Sequence, residues 1–382
     1  MRGPLSKRRR RLRAATYRGS PMGKRAGKEE GFAFLTRGPD NGGPALPTLA
    51  DSRVTPVERF FVRSHADPPA IDPRAFRLEV KGLVHRPLAI SLADLQKKFQ
   101  RVTVEAPLIC AGNRRRELAS VAPIFGEVPW GPEAVGNARW TGLRLSELVH
   151  AVGPKPRAKH VWLTSLDRST KGGKPTPFGG SIELVKARSA EVLLAYEMNG
   201  APLRPDHGFP LRAVVPGYIG ARSVKWLGEI RLATGPSPNP FQKHTYKRVP
   251  AGFTPAHLAR ARPLGPVELN CAIATPQHGD QLKAGRVRVR GYAIAPHGGR
   301  IKRVEVSGDG GRTWVRAQVD GAGGPWAWRL WRADIHMPRG SSMLVARATA
   351  ADGAEQPETL SSAWNAGGYV NNAWHRVAVH AV

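Results

Sequence analysis

The chain has 382 residues, 41% of them hydrophobic, with 42 glycines and 34 prolines, so it has length for one to three cores built from short, turn-rich elements. Its 59 basic residues against 29 acidic ones give a formal charge of +30, but outside the N-terminal tail the positives are scattered, which argues against a specific nucleic-acid partner. No run of about eighteen apolar residues offers a membrane span, and two cysteines without a Cys-x-x-Cys-His exclude a disulfide framework, covalent c-type haem and a cysteine-held iron–sulfur cluster.

Residues 1–28 hold many basic side chains and no acid, the composition of a disordered segment. No apolar stretch follows the basic run, so no secretory signal is read. The segment is compatible with an Arg-rich organellar transit sequence, and a cytoplasmic protein is expected. Residues 1–54 are therefore assigned as basic tail and irregular lead-in. From "RFFVRSH" the pattern becomes globular. Phe76, Leu78 and Val80 alternate with charged residues, a half-buried strand. "SLADLQKKF" (91–99) predicts a helix capped by Ser91 with Asp94 at the capping-box position. Residues 102–110 predict a strand that ends at Cys110. "LRLSELVHAVG" (143–153) predicts a helix closed by Gly153, and "HVWLTSLD" (160–167) a strand. "EVLLAYEMNG" (191–200) reads as a short helix or strand ending in an Asn-Gly turn. "LRAVVPGYIG" (211–220) reads as a buried β segment ending at a site.

The texture changes at "RPLGP", near residue 262. Beyond it the signals are β only: "GRVRVRGYAIA" (285–295), a hairpin around Asp309-Gly310, "PWAWRLWRADI" (325–335) and "SMLVARATAADG" (342–353). Such spacing suggests an immunoglobulin-like sandwich. The part before it mixes strands and short helices without βαβ alternation, an α+β fold, and has no dinucleotide or P-loop motif. The expected division is a catalytic domain over 55–261 and an all-β domain over 262–382.

The chemistry gathers at "APLICAGNRRREL" (106–118). Positive charge beside Cys110 favours a thiolate, which is both a nucleophile and a soft metal ligand. A nucleophile would need a base, for which His65, His160 and His207 are candidates. A buried lone cysteine is also an ordinary small core residue. Arg114, Arg115 and Arg116 at a strand end are placed to grip an oxyanion through planar guanidinium forks, or else form a solvated charged face.

"LICAGNRRREL" resembles the signature of the sulfite oxidase family of molybdenum enzymes. "FFVRSH" (60–65), "VLLAYEMNGAPLRPDHGFPLRAVVPGYIGARSVKWLG" (192–228), "KHTYK" (243–247), "GYAIAPHGGRIKRVEVSGDGGRTW" (291–314), "WAWRLW" (326–331) and "NAWHRV" (372–377) match the family in the same order. The resemblance covers roughly residues 55–380, with no cytochrome b5 domain before it, no flavin domain after it and so no haem in this chain. It implies an α+β molybdopterin-binding domain followed by an immunoglobulin-like dimerisation domain, hence a homodimer. It implies a Mo-molybdopterin cofactor with Cys110 as the metal-bound thiolate. Phe61, Val62, Arg63, Ser64, His65, Asp167, His207, Arg212, Ser223, Val224 and Lys225 would hold the pterin. Arg63, Arg115, Trp130 and Tyr246 would form the anion pocket. The implied activity is oxidation of sulfite to sulfate by oxygen-atom transfer at a Mo-oxo centre. Electrons would pass to a separate acceptor, a cytochrome or dioxygen. Reduction of nitrate or an S-oxide is the alternative on the same scaffold, and a basic nucleic-acid-binding protein the more remote one. Three departures stand out: Ser64 replaces a family Asn, "FGGSI" (178–182) lacks a family Tyr hydroxyl, and Gly367 in "WNAGG" replaces an Arg of the anion pocket.

Overall fold

Leu78 and Val80 point inward and Arg77 and Glu79 outward along the strand Arg77–Gly82, as the period-2 pattern requires. The computed structural model, which describes residues 27–250, 252 and 254–382, pairs this strand antiparallel with Leu88–Ser91 and parallel with Leu227–Ala233. His160–Ser165 and Gly179–Glu183 complete a five-stranded sheet. A second sheet runs in the order Ala201–Pro202, Leu193–Met198, Val135–Arg144, Val102–Ile109, with Arg212–Val214 also on Leu193–Met198. Leu78, Leu95, Leu148, Leu163, Leu194 and Ile230 fill the core between them. The segment 191–200 is thus a strand, Leu193–Met198. Asn199 (φ 53°) and Gly200 (φ 85°) take the left-handed conformations that a tight hairpin needs.

The helix Leu92–Lys98 starts where Ser91 accepts the Asp94 N–H at 3.0 Å. Leu145–Val152 ends on Gly153, at φ 64°. Both bury their leucines on the same core.

The all-β half is a sandwich. One sheet holds Asn270–Thr275, Gly285–Ile294, Arg329–Met337 and Gln318–Val319. The other holds Gln281–Leu282, His375–Ala381, Gly340–Ala350, Ile301–Ser307 and Val315–Arg316. Cys271 lies in its core beside Ile273, Trp331 and Leu344, and burial pushes its thiol up to about 12. The architecture is therefore an α+β domain followed by a β-sandwich.

The lead-in departs from the sequence expectation. Ala33–Thr36 and Asn41–Gly43 pair as a hairpin, and the turn Leu46–Ala50 packs Leu49 against Tyr292 and Trp328 of the sandwich half. Gly and Pro signal irregularity locally, but long-range packing overrides them here. Disorder was expected of residues 1–28; residues 1–26 lie outside the described residues, but Lys28 is ordered, donating to Val57 O and Phe60 O at 3.1 and 2.9 Å.

Candidate active site

Val102–Ile109 pairs along its whole length with Val135–Arg144, so its end is fixed in register. Cys110 follows directly, its N–H donating to Ala134 O at 2.9 Å. The chain then turns back, with Asn113 N–H on Cys110 O at 3.0 Å and Gly112 N–H on Cys110 Sγ at 3.4 Å. Asn113 pins the turn by accepting the Ala134 N–H and donating to Tyr292 Oη. The cysteine is thus held by two sheet strands and a hydrogen-bonded turn, in the wall of a cleft. Burial raises its thiol pKa, while Arg63 and Arg115 pull the other way. The arginine-lowered thiol expected from sequence is therefore not found. Desolvation outweighs the nearby guanidiniums.

The three arginines separate. Arg114, at φ 65°, turns away from the cleft and is fully buried; it forks onto Glu117 at 2.8 and 2.7 Å and donates to Cys271 O. His375 and Asn371 of the sandwich reach the same carboxylate, each at 3.5 Å, which makes this pair an interdomain clamp. Arg116 is exposed and donates to Pro129 O. Only Arg115 stays beside the cysteine turn. Its guanidinium lies over Gly112, where a Cβ would fall 2.3 Å from Nη1, so a larger residue there would displace Arg115. Arg115 donates to Gly367 O and Val128 O and lies 5.0 Å above the Tyr369 ring. Arg114 is the left-handed residue before the helix Arg115–Ala119, and Arg115 and Arg116 are its first two residues, so the three side chains leave in three directions.

On the other side of the sulfur, Arg63 is held by Asn41 Oδ1 at 3.2 Å and by Ser64 O, and Asn41 also accepts the Ser64 N–H at 2.8 Å. His65 lies between Phe178 and Phe241, with ring centroids at 5.0 and 4.5 Å. Burial and Arg63 push its imidazole well below the usual histidine range, so it is neutral. Arg63 can only donate. Arg63 Nη2 lies 3.3 Å from His65 Nδ1 and 3.2 Å from Nε2, and Nε2 shares a hydrogen bond with Tyr246 Oη at 2.9 Å. Burial pushes the Tyr246 phenol up to about 12, so it keeps that proton at neutral pH.

The far end of the cleft holds two buried cations. Arg212 donates to His207 O and Ser223 O, both at 2.9 Å, and burial alone brings its guanidinium down to about 9. Lys225 donates to Ser64 Oγ (2.6 Å) and Asp206 O (2.9 Å). Burial and then Arg212 bring its ammonium down to about 7. Asp206 and Asp167 favour the Lys225 charge from a distance, but among the described residues neither cation has a carboxylate in direct contact. Two desolvated cations side by side without a carboxylate are costly, and the arrangement fits an anionic group between them. Asp206 and Lys28 flank His207, and Lys28 donates to His207 Nε2 at 3.1 Å. Burial brings that imidazole down to about 3, so it too is neutral. Asp167 accepts from Phe178 N–H (2.7 Å) and Ser169 Oγ (2.8 Å) and faces the same cleft.

Of the residues singled out from sequence, Phe61, Arg63, Ser64, His65, Cys110, Asp167, His207, Arg212, Ser223, Lys225 and Tyr246 line this one cleft. Val62, Val224, Arg115 and Trp130 do not. Val62 bonds through its backbone to Gly42 and Val224 through its carbonyl to Ala213 N–H. Trp130 stands edge-on behind Phe61, fully buried, its Nε1 without a partner among the described residues. The reading missed Asn41, Lys28 and Asp206, and Tyr369 and Glu127 around Arg115. Asn41 and Lys28 sit in a stretch that gives no periodic signal, and Glu127 is a lone acid in a loop.

A model of the oxidoreductase molybdopterin-binding domain matches residues 65–241, and one of the Mo-co oxidoreductase dimerisation domain matches residues 264–382. Sulfite oxidase of Gallus gallus is 38% identical over 365 residues, covering 91% of this chain and 78% of that protein. Mitochondrial sulfite oxidase of Rattus norvegicus is 39% identical over 361 residues; the chain spans 64% of its length. Among solved structures, the sulfane dehydrogenase SoxCD from Paracoccus pantotrophus superposes with a TM-score of 0.77 at 26% identity, covering 95% of this chain and 93% of that one.

Proposed function

The chain belongs to the sulfite oxidase-like family of molybdopterin-dependent oxidoreductases, and we propose that within this family it oxidises sulfite to sulfate at a molybdenum held by Cys110. The observation that carries this reading is the shared cleft: Cys110, Arg63 and Tyr246 line the same cavity as the buried cations Arg212 and Lys225. The residues fit the cofactor. Two cations without carboxylate partners suit a terminal phosphate, and the Asp167 oxygens can accept ring N–H bonds. The bound molybdenum–pterin group supplies the two-electron redox and oxygen-atom chemistry.

The chain's own residues do the rest. Cys110 gives a thiolate whose deprotonation the metal charge favours, offsetting the burial that raises it in the bare protein. Arg63, which lines the cleft, would bind and orient a small oxyanion, and Arg115, beside the Cys110 turn but behind the cleft wall, adds positive charge that attracts it. Tyr246, hydrogen-bonded to neutral His65, keeps its phenolic proton at neutral pH and would serve as a proton donor to an oxygen in the cleft. Phe61, with Trp130 behind it, keeps that wall apolar and limits water.

Two further parts of the reading follow from the family. The sandwich would join two copies of the chain, and a separate cytochrome or dioxygen would take the electrons. The test is sulfite-dependent reduction of ferricyanide by purified, molybdenum-loaded protein, with nitrate and methionine sulfoxide tried as oxidants under a reductant. Turnover of sulfite supports the proposal. Turnover of nitrate or the S-oxide with none of sulfite replaces it. Gel filtration at twice the chain mass supports the dimer, and elution at the single-chain mass refutes it.

A further inference from the structure

Around Arg115 this chain builds something that its resemblance to sulfite oxidases does not prepare for. Gly367 stands where the family places an arginine, and the space is not empty: a Cβ at 367 would lie 2.4 Å from the Tyr369 ring. The ring lies beneath the Arg115 guanidinium at 5.0 Å and next to Tyr246, centroid to centroid 5.5 Å. Its hydroxyl donates to Glu127 Oε1 at 2.8 Å, and Glu127 Oε2 lies 3.4 Å from Arg115 Nη2. A guanidinium expected in the pocket is thus replaced by a tyrosine that holds a carboxylate against a second guanidinium.

We propose that Glu127, positioned by Tyr369 in the space Gly367 leaves, is a specificity-determining residue that lowers the positive charge of the anion pocket, so that the site prefers singly charged over doubly charged sulfur oxyanions. This deepens the sulfite reading and rests on it for the substrate class. Arg63 and Arg115 bring two positive charges beside Cys110, and Glu127 cancels one. A dianion that would have met two or three guanidiniums meets a net single charge, whereas a monoanion such as hydrogensulfite is still matched. Glu127 does not line the cleft and touches no substrate atom; it acts through Arg115. Its side chain is 23% exposed, enough for a neutral replacement to be tolerated.

The test compares wild-type holoenzyme with Glu127→Gln, which keeps the shape and removes the charge. Calorimetric titration with sulfate and with nitrate reads the pocket without turnover. Removing one negative charge doubles its effect on a dianion, so Glu127→Gln should bind sulfate about tenfold tighter and nitrate about threefold tighter. The KM for sulfite should fall with kcat little changed, and Glu127→Asp should restore wild-type affinities. Tyr369→Phe, which frees the carboxylate, should move in the direction of Glu127→Gln. Equal sulfate affinity in wild type and a folded Glu127→Gln overturns the proposal, as does equal tightening for sulfate and nitrate. Tightened sulfate binding in a protein that does not turn over sulfite supports this inference while removing the sulfite reading.

Discussion

Replacing Lys225 by methionine should stabilise the cofactor-free protein and weaken cofactor retention in the same molecule. The ammonium is brought from 10.5 to about 7, chiefly by burial and then by Arg212. At about 1.4 kcal/mol per unit, holding the charged form there costs roughly 5 kcal/mol before water in the cleft is counted. That water, and the Ser64 and Asp206 oxygens left without a donor, take back about half, so methionine should gain about 2 kcal/mol. The sign follows the protons. Below about pH 7 both states carry the charge and the folded protein bears the full cost. Between about 7 and 10.5 only the unfolded chain holds the proton, so stability rises with pH and the advantage of methionine fades. Urea unfolding of cofactor-free protein at about pH 6.5 and about pH 9.5 reads both points. The loaded variant should lose its pterin during dialysis faster than wild type, because the phosphate loses a charge-assisted donor. A methionine variant less stable at both pH values would show that Lys225 is a structural strut and refute the account of an anion-seeking cation.

Three further outcomes are expected. Glu117→Gln should cost about 3–5 kcal/mol in thermal or urea unfolding, because it leaves the fully buried Arg114 without its counter-charge at the domain interface. Tyr246→Phe should lower kcat/KM about 10- to 100-fold in the ferricyanide assay with a loss of no more than about 1–2 kcal/mol in unfolding, since it removes one hydrogen bond and no packing. Asn41→Ala should cost about 1–3 kcal/mol, by orphaning the Ser64 N–H, and should raise the KM for sulfite through a loosened Arg63.

The fold was legible where local rules and tertiary packing agree. Arg77–Gly82, Val102–Ile109 and the helix capped by Ser91 lie close to where periodicity and capping place them, as do the sandwich strands Gly285–Ile294, Ile301–Ser307, Arg329–Met337 and Gly340–Ala350, whereas Asn270–Thr275 and His375–Ala381 were not read from the sequence. The lead-in was not legible, because Leu49 and Asn41 are ordered by residues far along the chain rather than by their neighbours. At the site, the motif around Cys110 and the blocks around His65, His207 and Tyr246 announced residues that line one cleft. The direction of each arginine after Gly112 was hidden. It depends on Arg114 finding Glu117, on Arg115 finding Gly112 to lie over, and on the left-handed turn at 114. The Glu127–Tyr369 contact joins residues 242 positions apart from two domains, and a single sequence carries no signal for such a pair.

Molybdenum K-edge X-ray absorption on wild-type holoenzyme and on Cys110→Ser measures the central contact directly. Loss of one sulfur neighbour from the metal in the serine variant, together with loss of sulfite turnover, is the expected result. An unchanged sulfur shell in the two proteins would contradict the assignment of Cys110 as the ligand, and with it the placing of the reaction at this end of the cleft.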